Sequence, residues 1–213
     1  MLKVKDRHRW SIAKSASLSR MYYMKAIDPL EVIKVLNDAK ISFVLAGAHG
    51  LGGWYMKPRT TEDVDLIVAK KHLKKATEVL LEAFPHLIAE DLPVVIRLRE
   101  RDTEQVVIDL MKPLQTLYRE TFKHTQTVKK GKLEYRIPCL EMALTMKFGA
   151  MLSPYRSDDK KLYDAGDFIR MVQANPAIDE ESLLELGEFI YEGGGKSILE
   201  MIRKVRAGEK LVL

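Results

Sequence analysis

The chain of 213 residues contains a single cysteine, Cys139, so an internal disulfide is excluded, and nothing near this cysteine has zinc-ligand spacing. No apolar run approaches the roughly 20 residues that a membrane-spanning helix needs. The N-terminal residues 1–9 are basic and lack the apolar stretch of a secretory signal. These absences predict a reduced, cytoplasmic protein that does not enter a membrane. A chain of this length can bury a hydrophobic core.

Positive charge is in excess, with a formal net charge of +5 and a pI of about 9.1. This excess favours polyanionic partners such as nucleic acid or nucleotide phosphates. Seven lysines and arginines fall within the first 25 residues. Two interpretations of residues 1–27 stay open, a solvated and partly disordered basic arm or an RNA-binding surface.

Hydrophobic periodicity divides the rest of the chain into an α/β half and a helical half. The first half is predicted to contain, in order, a helix from Asp28-Pro29, a strand at 41–46, a short helix beginning in 47–53, a strand at 64–68, a helix at 71–84, strands at 93–98 and 105–111, and a hairpin at 125–137. The second half is predicted to contain helices near 140–152, 158–173, 180–192 and 196–205. The fold class is therefore α/β (α+β), with a mixed-sheet domain over 28–138 and a helical domain over 139–213.

Two aspartates begin the strand at 64–68. Because side chains alternate along a strand, Asp63, Asp65 and Ile67 share one face. The other face consists of Val64, Leu66 and Val68, and this apolar face is predicted to lie in the core. Two ionised carboxylates so placed repel each other unless a cation neutralises them. Magnesium suits this arrangement, since it takes one or two carboxylates and binds substrate phosphates through its other positions. The alternative is a pair of solvated turn residues.

A third carboxylate, Asp109, lies near the end of the apolar strand at 105–111. It points away from Val106, Ile108 and Leu110, which share the opposite face. If this strand lies near the strand at 64–68, three carboxylates converge. Three is the minimum set for two metal ions that bridge a triphosphate and an attacking hydroxyl.

Small residues end the strand that precedes the aspartates. At Gly47-Ala48 the strand turns into a helix, so phosphate oxygens can approach backbone N–H groups at the helix N-terminus. Lys57 and Arg59 lie just before the aspartates and could pair with the same phosphates. The alternative for the glycines is tight packing of helix on sheet, which is compatible with phosphate binding.

These motifs together resemble the signature of the polymerase-β-like nucleotidyltransferase superfamily. That signature is a small pair, here Gly47-Ala48, then a spacer and an Asp-apolar-Asp pair, here Asp63 and Asp65, with a later aspartate, here Asp109. The resemblance implies a Mg²⁺ site, open also to Mn²⁺, and a bound nucleoside triphosphate such as ATP. Ala48 stands where serine or glycine is usual, so a hydroxyl contact to phosphate is missing.

The helical half is similar to the C-terminal helices of AbiEii/AbiGii-type toxins, the nucleotidyltransferases of type IV toxin–antitoxin pairs. The resemblance places beside the nucleotide a lysine, an arginine and an acidic pair, here Lys147, Arg156, Asp164 and Asp167. The alternative for the two aspartates is a surface set of ion pairs with nearby cations, namely Lys160, Lys161 or Arg170.

The predicted function is transfer of a nucleoside monophosphate from a triphosphate to an acceptor hydroxyl, in a cleft between the two domains. Asp63 and Asp65 hold Mg²⁺, and Asp109 completes a second metal site or accepts the proton of the attacking hydroxyl. The resemblance implies RNA, including transfer RNA, as the acceptor and a cognate antitoxin as a partner. The alternatives are a small-molecule acceptor, as in antibiotic nucleotidyltransferases, and a non-catalytic protein that binds nucleotide or RNA.

Overall fold

The computed structural model describes residues 3–22, 27–55 and 60–210. The chain divides into two compact units, Met1–Pro138 and Cys139–Leu213. Among the described residues, no helix combines the length and apolar character that crossing a bilayer requires.

A mixed sheet forms the centre of the first unit. Its strands in the described chain are β1 (Phe43–Leu45), β2 (Val64–Val68), β3 (Leu87–Asp91), β4 (Val95–Glu100) and β5 (Val106–Met111). They lie in the order β1-β2-β5-β4-β3. Strands β2 and β5 are parallel, and the other neighbours are antiparallel. The predicted mixed sheet is confirmed, and its only parallel pair within the described residues joins the two strands that bear the predicted aspartates.

Helices and a separate hairpin surround this sheet. The helices of the first unit are α1 (Val4–Tyr22), α2 (Pro29–Asp38), α3 (Gly47–Tyr55), α4 (Leu73–Ala83), which follows a 3₁₀ turn at Lys70–His72, and α5 (Thr116–Glu120). The hairpin consists of β6 (Thr125–Lys130) and β7 (Leu133–Pro138). As predicted, Asp28 caps α2, its carboxylate accepting a hydrogen bond from the Leu30 N–H at 2.9 Å.

The apolar face of β2 lies in the core. Val64, Leu66 and Val68 are buried together with residues of α2 and α4, such as Leu36 and Leu80. Burial of such side chains is the main source of stability, at about 1.5–3 kcal/mol each. The alternation therefore places Asp65 on the other face of the sheet, as its sequence position predicts.

The N-terminal segment is a helix, so the interpretation as a disordered arm is wrong for residues 4–22. Helix α1 packs on α3 and β6. The two helices approach closely because glycines of α3 leave room. A Cβ on Gly52 would lie 2.3 Å from the Ser11 hydroxyl, and one on Gly53 would lie 2.3 Å from Nδ1 of His8. The buried residues of α1 are mostly polar, including Ser11, Ser15 and Ser19, so the helix carries only a weak hydrophobic pattern in the sequence.

His8 anchors this contact. Its ring lies edge-on to Trp54 at a centroid distance of 4.7 Å. Burial lowers the pKa of His8 to about 4; a backbone hydrogen bond at Gly50 opposes this shift, and the charge of Arg7 adds to it. The histidine is therefore neutral at neutral pH, as a packing residue on a helix interface.

Three further elements differ from the sequence prediction. Edge strand β3 was not predicted, because its residues are mostly exposed and include Glu90 and Asp91. The short helix α5 was not predicted either. Helix α8 ends at Gly187 rather than at 192. The close approach of Gly187 to Gly195, where a Cβ would meet backbone at 2.5 Å, fixes the following turn.

The second unit is helical throughout its described part, as predicted. Its helices are α6 (Leu140–Leu152), α7 (Asp158–Ala174), α8 (Glu180–Gly187) and α9 (Gly194–Ala207). Helix α6 packs on α7 and α8, and α9 packs on α7 and α8. Phe148, Phe168 and Ile198 are fully or almost fully buried among them.

Candidate metal centre

Three carboxylates converge on the sheet of the first unit. Asp65 of β2 and Asp109 of β5 are register partners, and Asp63 lies one residue before β2. One oxygen of each carboxylate lies within 4.8 Å of those of the other two, and all three residues are half-buried. The structure thus brings together the residues that the strand alternation selected. Their role as metal ligands stays a prediction.

The donor set fits a hard divalent cation. It consists of carboxylate oxygens, the ligands that Mg²⁺ and Mn²⁺ prefer, and no sulfur or imidazole belongs to it. The partial exposure of the three carboxylates leaves room for the waters that Mg²⁺ retains and for the phosphate oxygens that it binds. Three negative charges in this space also repel one another, so bound positive charge stabilises the arrangement.

Arg97 is a further residue of this site, which sequence reasoning missed. It lies on β4 as the register partner of Asp109, with its Nε 3.4 Å from Oδ1 of that carboxylate. Oppositely charged residues facing each other across antiparallel strands commonly pair in this way. The pair could be found only once the strand order β5-β4 was known. Arg97 offsets one of the three negative charges.

Gly47 lies directly against the carboxylate of Asp65. Its φ is +53°, and a Cβ built on it would lie 1.7 Å from Asp65 Oδ2. The backbone is also joined there, since the Ala46 N–H donates to the Asp65 carbonyl oxygen at 2.9 Å. Only glycine combines this left-handed conformation with so close an approach. Glycine at position 47 therefore leaves the space that the Asp65 carboxylate occupies.

The other residues predicted to contact phosphate are less fully defined. Ala48 is buried within the first turn of α3. Arg59 and Lys57 lie outside the described residues. Contact of Gly47, Ala48 and Arg59 with phosphate therefore stays a prediction.

Thr61 supports the first aspartate and was not singled out in the sequence. Its hydroxyl donates to Asp63 Oδ1 at 2.8 Å. Its backbone N–H donates to the hydroxyl of Ser19, on α1, at 3.1 Å. A threonine two residues before an aspartate is a common local hydrogen-bonding pattern, but its link to α1 is visible only in the fold.

A second charged cluster, the α6–α7 ion network, lies in the helical unit. Lys147 Nζ lies 2.7 Å from Asp164 Oδ1 and 2.9 Å from Asp167 Oδ2. Arg156 pairs with Asp164, and Arg170 pairs with Asp167 at 2.8 Å. The structure thus joins all four residues that the resemblance assigned to nucleotide binding and adds Arg170.

Both aspartates of this network are almost fully buried, at 2% and 0% exposure. The alternative of a surface set of ion pairs is therefore wrong, although Arg170 is one of the partners. Removing one member of a buried set leaves an uncompensated charge, which costs several kcal/mol. The Arg156 and Arg170 side chains are 39% and 38% exposed, so the network presents two guanidinium groups to solvent. Nucleotide contact by this set stays a prediction.

Comparison with solved structures identifies the class of fold. The chain is similar to an antigenic nucleotidyltransferase-like protein from Paracoccidioides brasiliensis, with a TM-score of 0.53 and 19% identity over 85% of this chain and 91% of that one. It also aligns with terminal uridylyl transferase 4 from Trypanosoma brucei with bound GTP, at 12% identity over 81% of this chain and 56% of that one. The TM-score of this second alignment is 0.32.

No protein-family model and no curated protein sequence matches the chain. The likeness to the Paracoccidioides protein shows the fold alone. The chain therefore has a nucleotidyltransferase-like fold, and the three aspartates on its sheet could hold a metal ion.

Proposed function

We propose that the chain is a metal-dependent nucleotidyltransferase with Asp63, Asp65 and Asp109 as its metal ligands. The observation that carries the proposal is the convergence of these carboxylates, with ligand oxygens within 4.8 Å of one another, on a nucleotidyltransferase-like fold. The reaction transfers a nucleoside monophosphate from a nucleoside triphosphate to an acceptor hydroxyl and releases pyrophosphate.

The chain acts mainly by positioning and neutralising charge. Bound at the three carboxylates, Mg²⁺ or Mn²⁺ supplies the positive charge that binds a triphosphate and stabilises its leaving pyrophosphate. Asp63 and Asp65 would hold the metal ion near the N-terminus of α3, where Gly47 lies against Asp65. Asp109 is the third ligand, and the Arg97 guanidinium, with its Nε 3.4 Å from Asp109 Oδ1, offsets part of the negative charge at the site.

Phosphate contacts follow from the N-terminus of α3. We assign its first residues, Gly47 and Ala48, to the phosphate oxygens, which helix N-termini attract. We assign Arg59 to the same phosphates. In the second unit we assign Arg156 to the nucleotide, held in place by Asp164, while Lys147 joins Asp164 to Asp167.

We propose RNA, including transfer RNA, as the acceptor, and a role as the toxin of a toxin–antitoxin pair. The proposal is supported by the resemblance to AbiEii-type proteins and by charge. The first unit contains 25 lysines and arginines against 17 aspartates and glutamates, an excess that favours a polyanion. A small-molecule acceptor is the alternative for the same chemistry. A non-catalytic nucleotide- or RNA-binding protein is the second candidate, favoured by Ala48 in place of serine or glycine.

The test is incubation of the full chain with each α-labelled nucleoside triphosphate, Mg²⁺ and total RNA. We expect label on RNA from the wild type and at least a hundredfold less from Asp63→Ala. The matched control is Asp38→Ala, which removes an exposed aspartate of the same unit that pairs with Lys34. Label on added aminoglycosides but not on RNA would favour the small-molecule acceptor. Nucleotide binding without transfer, unchanged by Asp63→Ala, would refute the enzymatic function.

A further inference from the structure

Helix α1 is linked to the carboxylate site on two sides, in each case through intermediate residues. On one side, Ser19 reaches Asp63 through Thr61. On the other side, α1 packs on α3, whose first residue, Gly47, lies against Asp65. Every one of these residues belongs to the first unit.

The Asp63 carboxylate lies outside the regular part of the sheet. Strand β2 begins at Val64, so ladder hydrogen bonds do not fix the residues before it. The Thr61 hydroxyl donates to Asp63 Oδ1 at 2.8 Å and restricts rotation of the carboxylate. Groups that hold metal ligands in this way commonly alter metal affinity when they are removed.

Thr61 is itself held from a distance. Its N–H donates to Ser19, which lies 42 residues earlier in the chain, and both residues are buried. Loss of an acceptor for a buried N–H is costly, so Ser19 fixes the backbone at Thr61. The position of Asp63 therefore depends on the position of α1.

The packing of α1 on α3 is specific as well. Gly52 and Gly53 each leave a space that α1 side chains, Ser11 and His8, occupy, and a Cβ at either glycine would lie 2.3 Å from them. Because α3 begins at Gly47, the helix on which α1 packs is also the one that contacts Asp65. Both aspartates thus share one support.

We infer that α1 is part of the metal site and that Ser19 and Thr61 are positioning residues for Asp63. The inference rests on the proposed function, because it assumes that the carboxylates bind metal. It assigns to the N-terminal helix a role in preorganising the ligands, in addition to its packing role.

The experiment measures Mn²⁺ binding to the full chain by electron paramagnetic resonance of the free ion. We expect Thr61→Val to weaken binding about tenfold, Ser19→Ala to weaken it several-fold, and the double variant to weaken it little more than Thr61→Val, since both act along one path. Thr61→Ser keeps the hydroxyl and is expected to bind within about twofold of the wild type. The controls are Thr121→Val, which removes a buried hydroxyl bonded to the Leu117 carbonyl, and Ser17→Ala at an exposed position of α1.

The outcomes separate the two proposals. A wild type that binds no Mn²⁺ overturns the proposed function, and the inference with it. A wild type that binds Mn²⁺ and is matched by Thr61→Val and Ser19→Ala overturns the inference alone. If Thr61→Val does not fold, Ser19→Ala and Thr61→Ser decide the matter, because equal weakening by both shows a packing role rather than a hydroxyl contact.

Discussion

Replacement of Gly47 by alanine tests the geometry of the site most directly. The new Cβ would lie 1.7 Å from Asp65 Oδ2, where real Cβ atoms do not approach closer than about 3.0 Å. The carboxylate oxygen must therefore retreat by about 1.3 Å or more. A displacement of that size is large against the tolerance of a metal site, where ligand distances hold to within about 0.2 Å. We expect Gly47→Ala to weaken Mn²⁺ binding at least tenfold.

The same substitution also destabilises the fold, through two separable costs. A non-glycine residue at a φ of +53° costs about 1–2 kcal/mol. Forcing Asp65 away from its rotamer adds about 1 kcal/mol. The matched control is Gly131→Ala, at a φ of +61° with nothing within 4 Å of the new Cβ. That variant carries the first cost without the second.

Urea unfolding in EDTA measures stability, and Mn²⁺ titration measures the site. We expect Gly131→Ala to lose about 1–2 kcal/mol and to keep wild-type Mn²⁺ affinity. We expect Gly47→Ala to lose about 1 kcal/mol more and to bind Mn²⁺ poorly. Wild-type Mn²⁺ affinity in Gly47→Ala would refute the contact between Gly47 and Asp65, and equal stability loss in the two variants would refute the crowding.

Three further predictions concern charge. His8 takes up a proton near pH 6.5 in the unfolded chain and near pH 4 in the folded chain. The free energy of unfolding is therefore unaffected by His8 above pH 6.5 and falls by about 3 kcal/mol as the pH is lowered to 4. We expect urea unfolding across this range to show the loss in the wild type and not in His8→Leu. Lys147→Met removes the buried cation that Asp164 and Asp167 share and leaves each carboxylate with one partly exposed arginine partner. We expect it to cost about 3 kcal/mol, whereas the exposed control Lys160→Met changes stability by less than about 0.5 kcal/mol. Asp65→Asn removes one of the three carboxylate charges, so we expect it to raise the free energy of unfolding in EDTA by about 1 kcal/mol. We also expect it to abolish stabilisation by Mn²⁺.

Each of these has a result that would contradict it. The same pH dependence in His8→Leu and the wild type would show that other groups produce the acid loss. Equal stability of the Lys147 and Lys160 variants would contradict the buried α6–α7 ion network. An Asp65→Asn variant that is less stable in EDTA and still stabilised by Mn²⁺ would show that Asp65 is held by structure rather than by metal.

Where local pattern decides structure, the sequence was sufficient. Strand β2 and helix α6 have the bounds predicted for them, Val64–Val68 and Leu140–Leu152. In β2, strict placement of aspartates before and between apolar residues allows only one strand register. The facing of Asp63 and Asp65 follows from that register. Local chemistry also defined the start of α2, where Asp28 caps and Pro29 begins the helix.

Where the neighbour decides structure, the sequence was not sufficient. Nothing within 105–111 shows that β5 pairs with β2, so the approach of Asp109 to Asp65 was conditional until the strand order was known. Arg97 joins the site only because β4 is the next strand. Helix α1 was missed because serine and histidine side chains contact the glycines of α3, and such a contact has no hydrophobic period.

The carboxylate site carries an energetic cost that the fold retains. A parallel register that sets Asp65 beside Asp109 is unfavourable for an empty site, since neutral or apolar residues at these strand positions would pack without repulsion. Gly47 adds a second cost, because glycine loses more conformational freedom on folding than any other residue. Both costs fall at one point of the sheet, and a cation bound there would offset the repulsion. Strain and like charge that coincide in this way favour the proposed metal site over a purely structural role for these residues.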